Sequence, residues 1–166
     1  MRIILIALAA LAALSPSTAE AQYKKIELKI LGMDCAICAH GVKVAVQKVE
    51  GVESVQLSLE RAEADITLKP GNRVSLDQFR RIVKGNGFEP REAKVTLTGL
   101  VRSAGGKLTL EVPGAAAPLA MSSDGSAAAA YKQLESSAAG GAPVEITGTV
   151  ERLPDGRDSL KVASVK

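Results

Sequence analysis

The chain has 166 residues, which is enough for one ordinary domain or two small ones. Hydrophobic residues make up 46% and charged residues 23%, a balance typical of a folded chain and not of a disordered one. Aromatic residues are only 2%, tryptophan is absent, and the net charge of +3 comes from scattered basic residues, so the composition argues against nucleic acid as a partner.

Residues 1–21 have the pattern of a secretory signal peptide. Met1-Arg2 supplies a positive start, Ile3 to Leu14 is an unbroken apolar run, and Ala19-Glu20-Ala21 has the small-x-small pattern of a cleavage site. The apolar run is shorter than the about 20 residues that a membrane span needs. We therefore expect a periplasmic or secreted chain that begins at Gln22 and has no stable membrane insertion after cleavage. An uncleaved anchor is the alternative.

Residues 22–94 are predicted to begin with a strand and a helix. In "YKKIELKIL", residues 23–31, apolar residues alternate at period two, which indicates a half-buried strand. After the two cysteines, Val42, Val46 and Val49 recur at helical spacing. Gly51 stands where a helix of this kind ends.

The same segment continues with a hairpin, a second helix and a last strand. Apolar and polar residues alternate in residues 52–60 and again in residues 61–69. The two stretches meet at the polar step Glu60-Arg61, which predicts an antiparallel hairpin. Ser75 with Gln78 forms a capping box that opens a helix, and Gly85-Asn86-Gly87 ends it before an extended stretch from Phe88. This order predicts an α+β fold with the ferredoxin-like βαββαβ arrangement.

Residues 95–166 are predicted to form a second, small β-barrel domain. "VTLTGLVRSAGGKLTLEV" and "VEITGTVERLPDGRDSLKVASV" each contain a strand interrupted by a glycine, at Gly99 and Gly148, then a turn and another strand. A glycine inside a strand often marks a bulge or a sharp bend. Between them lie a short strand near residues 118–121 and a helix-competent stretch, "SAAAAYKQLESSA". Three strands, a helix and two strands resemble an OB-fold in element order alone, and a looser β-sandwich is the alternative.

The segment "GMDCAICAHG", residues 32–41, holds both cysteines and the only histidine of the chain. Cys35 and Cys38 fall where a strand gives way to a helix, and the amide groups and dipole of a helix start stabilise a thiolate. Thiolates are soft ligands that prefer Cu(I), Hg(II), Ag(I), Zn(II) and Cd(II). A structural zinc site needs four ligands, and the sequence has no second Cys or His pair. The pattern therefore predicts an open two-thiol site, which favours transfer over storage.

These residues and their surroundings resemble the heavy-metal-associated domain family. "GMDCAIC", "VKVAVQKVEGVESVQLSL" and "VSLDQFRRIVKGNGF" carry the resemblance, which covers about residues 24–95. The family includes periplasmic mercuric-ion-binding proteins, copper metallochaperones and the N-terminal modules of soft-metal P-type ATPases. The resemblance implies that Cys35 and Cys38 bind the metal, Met33 packs under the loop and Phe88 covers the site. It also implies a membrane metal transporter or P-type ATPase as partner.

Asp34 bears on the choice of metal. Copper- and mercury-handling members of the family commonly carry Thr or Ser at this position. An Asp before the first cysteine resembles the modules of zinc-, cadmium- and lead-exporting ATPases. A hard oxygen suits Zn(II) better than Cu(I), so Asp34 is a candidate third ligand for Zn(II) or Cd(II). The alternative is an exposed carboxylate that caps the helix. His40, two positions past Cys38, is expected to face solvent.

The sequence therefore predicts a carrier of a soft heavy-metal ion, Cu(I) or Hg(II) in the first place, that exchanges thiolate ligands with a membrane transporter. It predicts no enzyme and no catalytic residue. A thiol–disulfide redox protein that uses the same cysteines, and a metal-sensing adaptor, are the alternatives. Basic residues such as Arg80, Arg81 and Lys84 are expected to be scattered surface charges.

Overall fold

The computed structural model describes residues 21–166 apart from 113, 114, 116, 124 and 126. The predicted signal peptide, except for Ala21, lies outside the described residues. Within the described part of the chain, no helix is long and apolar enough to cross a membrane. These residues form nine strands and three helices around one continuous apolar core.

The first six elements form the predicted ferredoxin-like arrangement. They are β1 Gln22–Leu31, α1 Ala36–Gln47, β2 Val52–Ser58, β3 Glu63–Leu68, α2 Leu76–Gly85 and β4 Glu89–Gly99. Their strands lie in the order β2-β3-β1-β4, and each neighbouring pair is antiparallel. The prediction of an α+β fold with this βαββαβ unit is confirmed.

Both helices bury one apolar stripe against this sheet. Helix α1 buries Ala39, Val42 and Val46, whereas Val49 lies after the helix end and is only partly buried. Helix α2 begins at the predicted cap, where the Gln78 amide donates a hydrogen bond to Ser75 Oγ over 3.3 Å. The helical period predicted the burial of Val42 and Val46 because it is a local property of the sequence.

The hairpin turn is centred on the predicted Glu60-Arg61 step and is wider than predicted. Strand β2 ends at Ser58 and β3 begins at Glu63, so residues 59–62 form the turn. Ala62 lies there with a positive φ of 47°, a left-handed conformation that is unfavourable for a residue with a Cβ. Its carbonyl accepts a hydrogen bond from the Ile30 amide over 2.9 Å. This contact with β1 fixes the turn, and the local alternation pattern does not contain it.

The remaining elements have the predicted order of three strands, a helix and two strands. They are β5 Val101–Ala104, β6 Lys107–Leu110, β7 Leu119–Ser122, α3 Ala128–Gly140, β8 Val144–Arg152 and β9 Asp158–Val165. They extend the same sheet in the order β4-β8-β9-β7-β6-β5, in which only β7 and β9 are parallel.

The predicted OB-like barrel is not confirmed, because the pairing runs through one open nine-stranded sheet. Among the described residues no ladder joins β5 to β4 or to β8. One physical reason is that only Leu100 separates β4 from β5, which is too short a connection for the chain to reverse and pair β5 with β4. β4 also crosses the predicted boundary between residues 94 and 95, and the division into two domains stays a prediction.

The two strand glycines lie at close backbone approaches. A Cβ built on Gly148 would lie 2.4 Å from the Lys161 carbonyl oxygen, and the β8–β9 register shifts between Thr147 and Gly148. A Cβ on Gly99 would lie 2.5 Å from the Cβ of Ala21. At Gly148 a larger residue would force β8 and β9 apart.

An ion-pair network joins α2 to the β8–β9 hairpin. Arg80 Nη1 lies 2.7 Å from Asp158 Oδ2 and 3.1 Å from Asp77 Oδ1. Arg152 Nε lies 3.1 Å from Asp158 Oδ1, and Arg152 also pairs with Asp77. The expectation that Arg80 is a surface charge is wrong, because only 7% of the surface of Arg80 is exposed. These contacts link residues far apart in the sequence.

Candidate metal centre

Residues 32–35 connect β1 to α1, and Cys35 is the N-cap of that helix. Cys35 has extended backbone angles, φ −109° and ψ 119°, and its Sγ accepts a hydrogen bond from the Cys38 amide over 3.3 Å. Its carbonyl accepts the first helical hydrogen bond, from the Ala39 amide, over 2.9 Å. The sulfur therefore occupies the place of the side-chain oxygen in an ordinary cap, at the positive end of the helix.

Both cysteines are free thiols that solvent reaches. Cys38 is exposed and Cys35 is partly exposed. The hydrogen bond between the two side chains lowers the pKa of the Cys35 thiol and raises the pKa of the Cys38 thiol. Cys35 is thus the first of the pair to ionise. Two adjacent soft sulfur donors, open to solvent, fit a soft cation as cargo.

The residues around the loop hold it against the core. Met33 is buried, with 2% of its surface exposed. Gly32 has a φ of +81°, and a Cβ built on it would lie 3.9 Å from Phe88 Cδ1. Phe88 is half-buried against the core. Since Leu31 pairs with Glu89 across β1 and β4, the sheet places the Phe88 loop beside the cysteine loop.

Asp34 and His40 are both exposed. In the described part of the chain, no three His, Cys, Asp or Glu side chains are grouped closely enough to share a metal ion. The arrangement in this structure is thus one of two sulfurs, and Asp34 as a third ligand stays a prediction.

Three exposed apolar side chains near the cysteines were not singled out from the sequence. Ile37, between the two cysteines, is 86% exposed, Leu31 47% and Val44 40%. Helical spacing could have identified two of them, because Ile37 and Val44 lie outside the buried face of α1 formed by Ala39, Val42 and Val46. Of the three, Ile37 lies directly between the two cysteines along the chain and is the most exposed.

Fold and site together define a small ferredoxin-like module that presents an open pair of thiols at the start of its first helix. Residues 27–89 match the heavy-metal-associated domain. Over 88 residues the chain is 40% identical to the mercuric transport protein periplasmic component of Shigella flexneri, an alignment that covers 53% of this chain and 93% of the relative. The chain belongs to the heavy-metal-associated domain family.

Two further similarities each cover less than half of the chain. Copper-transporting ATPase RAN1 of Arabidopsis thaliana is 30% identical over 81 residues, which are 46% of this chain and only 8% of the ATPase. A crystal structure of oxidised MerP from Ralstonia metallidurans CH34 is 28% identical, with a TM-score of 0.38 over 42% of this chain and 94% of that one. The chain thus spans only a small part of the ATPase that it matches.

Proposed function

We propose that this protein is a periplasmic or secreted carrier that binds one soft heavy-metal ion, Cu(I) or Hg(II), through Cys35 and Cys38. One observation carries the proposal: two free, accessible thiols meet at the start of α1, and one is already hydrogen-bonded there through its sulfur. A helix start stabilises the negative charge of a thiolate, which is the form that binds metal. The periplasmic name of the Shigella flexneri relative supports the location.

The open coordination of the pair supports transfer in place of storage. With two sulfurs facing solvent, a thiolate of a partner can add to the bound ion before either cysteine leaves, giving a three-coordinate intermediate. Exposed Ile37 and Leu31 supply apolar contact area for that partner. We propose a membrane metal transporter or P-type ATPase in this role, with Met33 and Phe88 supporting the loop. In this scheme the protein carries the ion and catalyses no reaction.

Metal binding by the reduced protein tests the proposal. Under anaerobic conditions, titration of Cu(I) or Hg(II) against a competing chelator should give one ion per chain. Cys35→Ser and Cys38→Ser should each lower the affinity for the ion on the order of 100-fold or more. Even the loss of a residue that only hydrogen-bonds to a metal ligand typically lowers metal affinity about 10- to 100-fold. His40→Ala is the matched control and should leave the affinity unchanged. A double-serine variant that binds as tightly as the wild type would refute the proposal.

Asp34 is tested separately with Zn(II), because its carboxylate is a harder ligand than sulfur. Asp34→Thr should lower the affinity for Zn(II) or Cd(II) and leave that for Cu(I) unchanged. An unchanged Zn(II) affinity means that the carboxylate is only an exposed loop residue.

A redox function is the second candidate, and the unequal thiols favour it. A pair in which one thiol ionises before the other suits attack on a disulfide. Turnover of a model disulfide by the metal-free protein, lost in both single-serine variants, would support exchange chemistry. Tight metal uptake without such turnover would support the carrier.

A further inference from the structure

A cleft lies between α2, the start of β4 and the end of β8. Its volume is about 470 Å³, within the range of small-molecule sites. It exists because the β4–β8 ladder begins only at Ala93 and Val150, so β4 residues 89–92 diverge from the end of β8. The cleft is formed jointly by the family domain and the C-terminal half.

One ion pair, between Asp77 and Arg152, joins the two sides of the cleft, and exposed charges of both signs lie beside it. Apart from that pair, the α2 side presents Arg81 and Lys84, both exposed, and the strand side presents Glu89, Glu92, Glu151 and Arg91. None of these six side chains forms an ion pair with another described residue, although groups of both signs line one cleft. Such a cleft favours a ligand that carries both charges.

A buried donor lies in the lining of the cleft. Arg80 is only 7% exposed, and its Nη1 donates to Asp77 and Asp158. Its Nη2 has no hydrogen-bond partner in the described part of the chain. That nitrogen is closed to solvent, so Arg80 contributes positive charge beside the cleft and no open hydrogen-bond donor.

We propose that this cleft binds a zwitterionic amino acid or short peptide. The ligand's carboxylate lies toward Arg80, Arg81 and Lys84, and its ammonium group lies toward Glu92 and Glu151. A simple anion is disfavoured because the three glutamates repel it, and a simple cation is repelled by the α2 side. The proposal is independent of the metal carried at Cys35 and Cys38.

NMR titration of the ¹⁵N-labelled full chain tests this site, with glycylglycine and triglycine as dipolar probes. Saturable shifts are expected at the amides of Arg81, Lys84, Glu92 and Glu151. Acetate and methylammonium, which carry one charge each, should bind several-fold more weakly. The absence of saturable shifts with both dipolar probes, or equal binding of acetate, would overturn the proposal.

Variants assign the binding to the two sides of the cleft. Arg81→Gln with Lys84→Gln, and separately Glu92→Gln with Glu151→Gln, should each weaken binding of the dipeptide. Lys132→Gln with Glu135→Gln, on the exposed side of α3, is the matched control and should have no effect. The double-serine variant of the metal site should still bind the dipeptide, so the two proposals fail independently. Unaltered binding in both cleft variants would place the ligand elsewhere.

Discussion

At the residue scale, Cys35 combines two tasks in one atom. Its sulfur accepts the capping hydrogen bond from the Cys38 amide and is also the first thiol to ionise. Serine is among the best N-cap residues, so Cys35→Ser removes the metal ligand while it keeps the start of α1 intact. A loss of metal binding in that variant therefore reports ligation and not unfolding.

The cap gives a prediction for the metal-free, reduced protein. Cys35→Ala should have a lower free energy of unfolding than Cys35→Ser, because alanine leaves the Cys38 amide without its acceptor. Urea denaturation followed by circular dichroism measures the difference. Equal midpoints for the two variants would mean that the sulfur does not cap the helix.

Ala62 provides a second prediction at this scale. Its φ of 47° is unfavourable for any residue with a Cβ, whereas glycine adopts it freely. Ala62→Gly should raise the free energy of unfolding by up to about 1 kcal/mol, because the relieved strain exceeds the added chain entropy. Ala163→Gly, at an exposed position in β9, is the control and should lower it. A lower stability for Ala62→Gly would contradict the assigned turn.

At the element scale, the glycine of β8 decides how closely β9 approaches. The Cβ of Gly148→Ala would lie 2.4 Å from the Lys161 carbonyl oxygen and 2.9 Å from Leu160 Cδ1. We expect a loss of about 1–3 kcal/mol in the free energy of unfolding, the usual cost of overpacking. Thermal and urea denaturation measure it.

The control for that variant is Gly140→Ala in α3, where a Cβ would meet nothing within 4 Å. Alanine is the better helix former, so this variant should be as stable as the wild type or more so. If both variants lose stability equally, the effect of Gly148→Ala does not come from the close approach of β9.

At the scale of the whole molecule, Asp158 holds the C-terminal half against α2. It accepts hydrogen bonds from Arg80 and Arg152, and its side chain is only 16% exposed. Asp158→Asn leaves the buried Arg80 guanidinium without its main counter-charge, and we expect a loss of about 2–3 kcal/mol in the free energy of unfolding. Urea denaturation of the full chain measures it.

Asp155→Asn is the matched control, because Asp155 pairs with Arg157 in an exposed turn. An exposed pair contributes little to stability, so this variant should behave as the wild type. Comparable losses in the two variants would show that the network between α2 and β9 contributes no more than a surface pair.

The sequence by itself determined the βαββαβ order and the position of the thiols. Alternation along β1 and the helical spacing of Val42 and Val46 are local patterns, and the Cys-x-x-Cys spacing places both sulfurs at one helix start without any distant contact. The element order after residue 95 also followed from local turn and strand signals.

Only the tertiary structure decided how these elements join. The sheet continues from β4 into β8, the Ile30 amide of β1 donates a hydrogen bond to the Ala62 carbonyl, and the buried Arg80 pairs with Asp158, 78 residues away. The cleft beside Arg81 likewise depends on where two strands diverge. These features rest on pairings between residues distant along the chain, and a periodic pattern contains no information about which distant residue completes a pair.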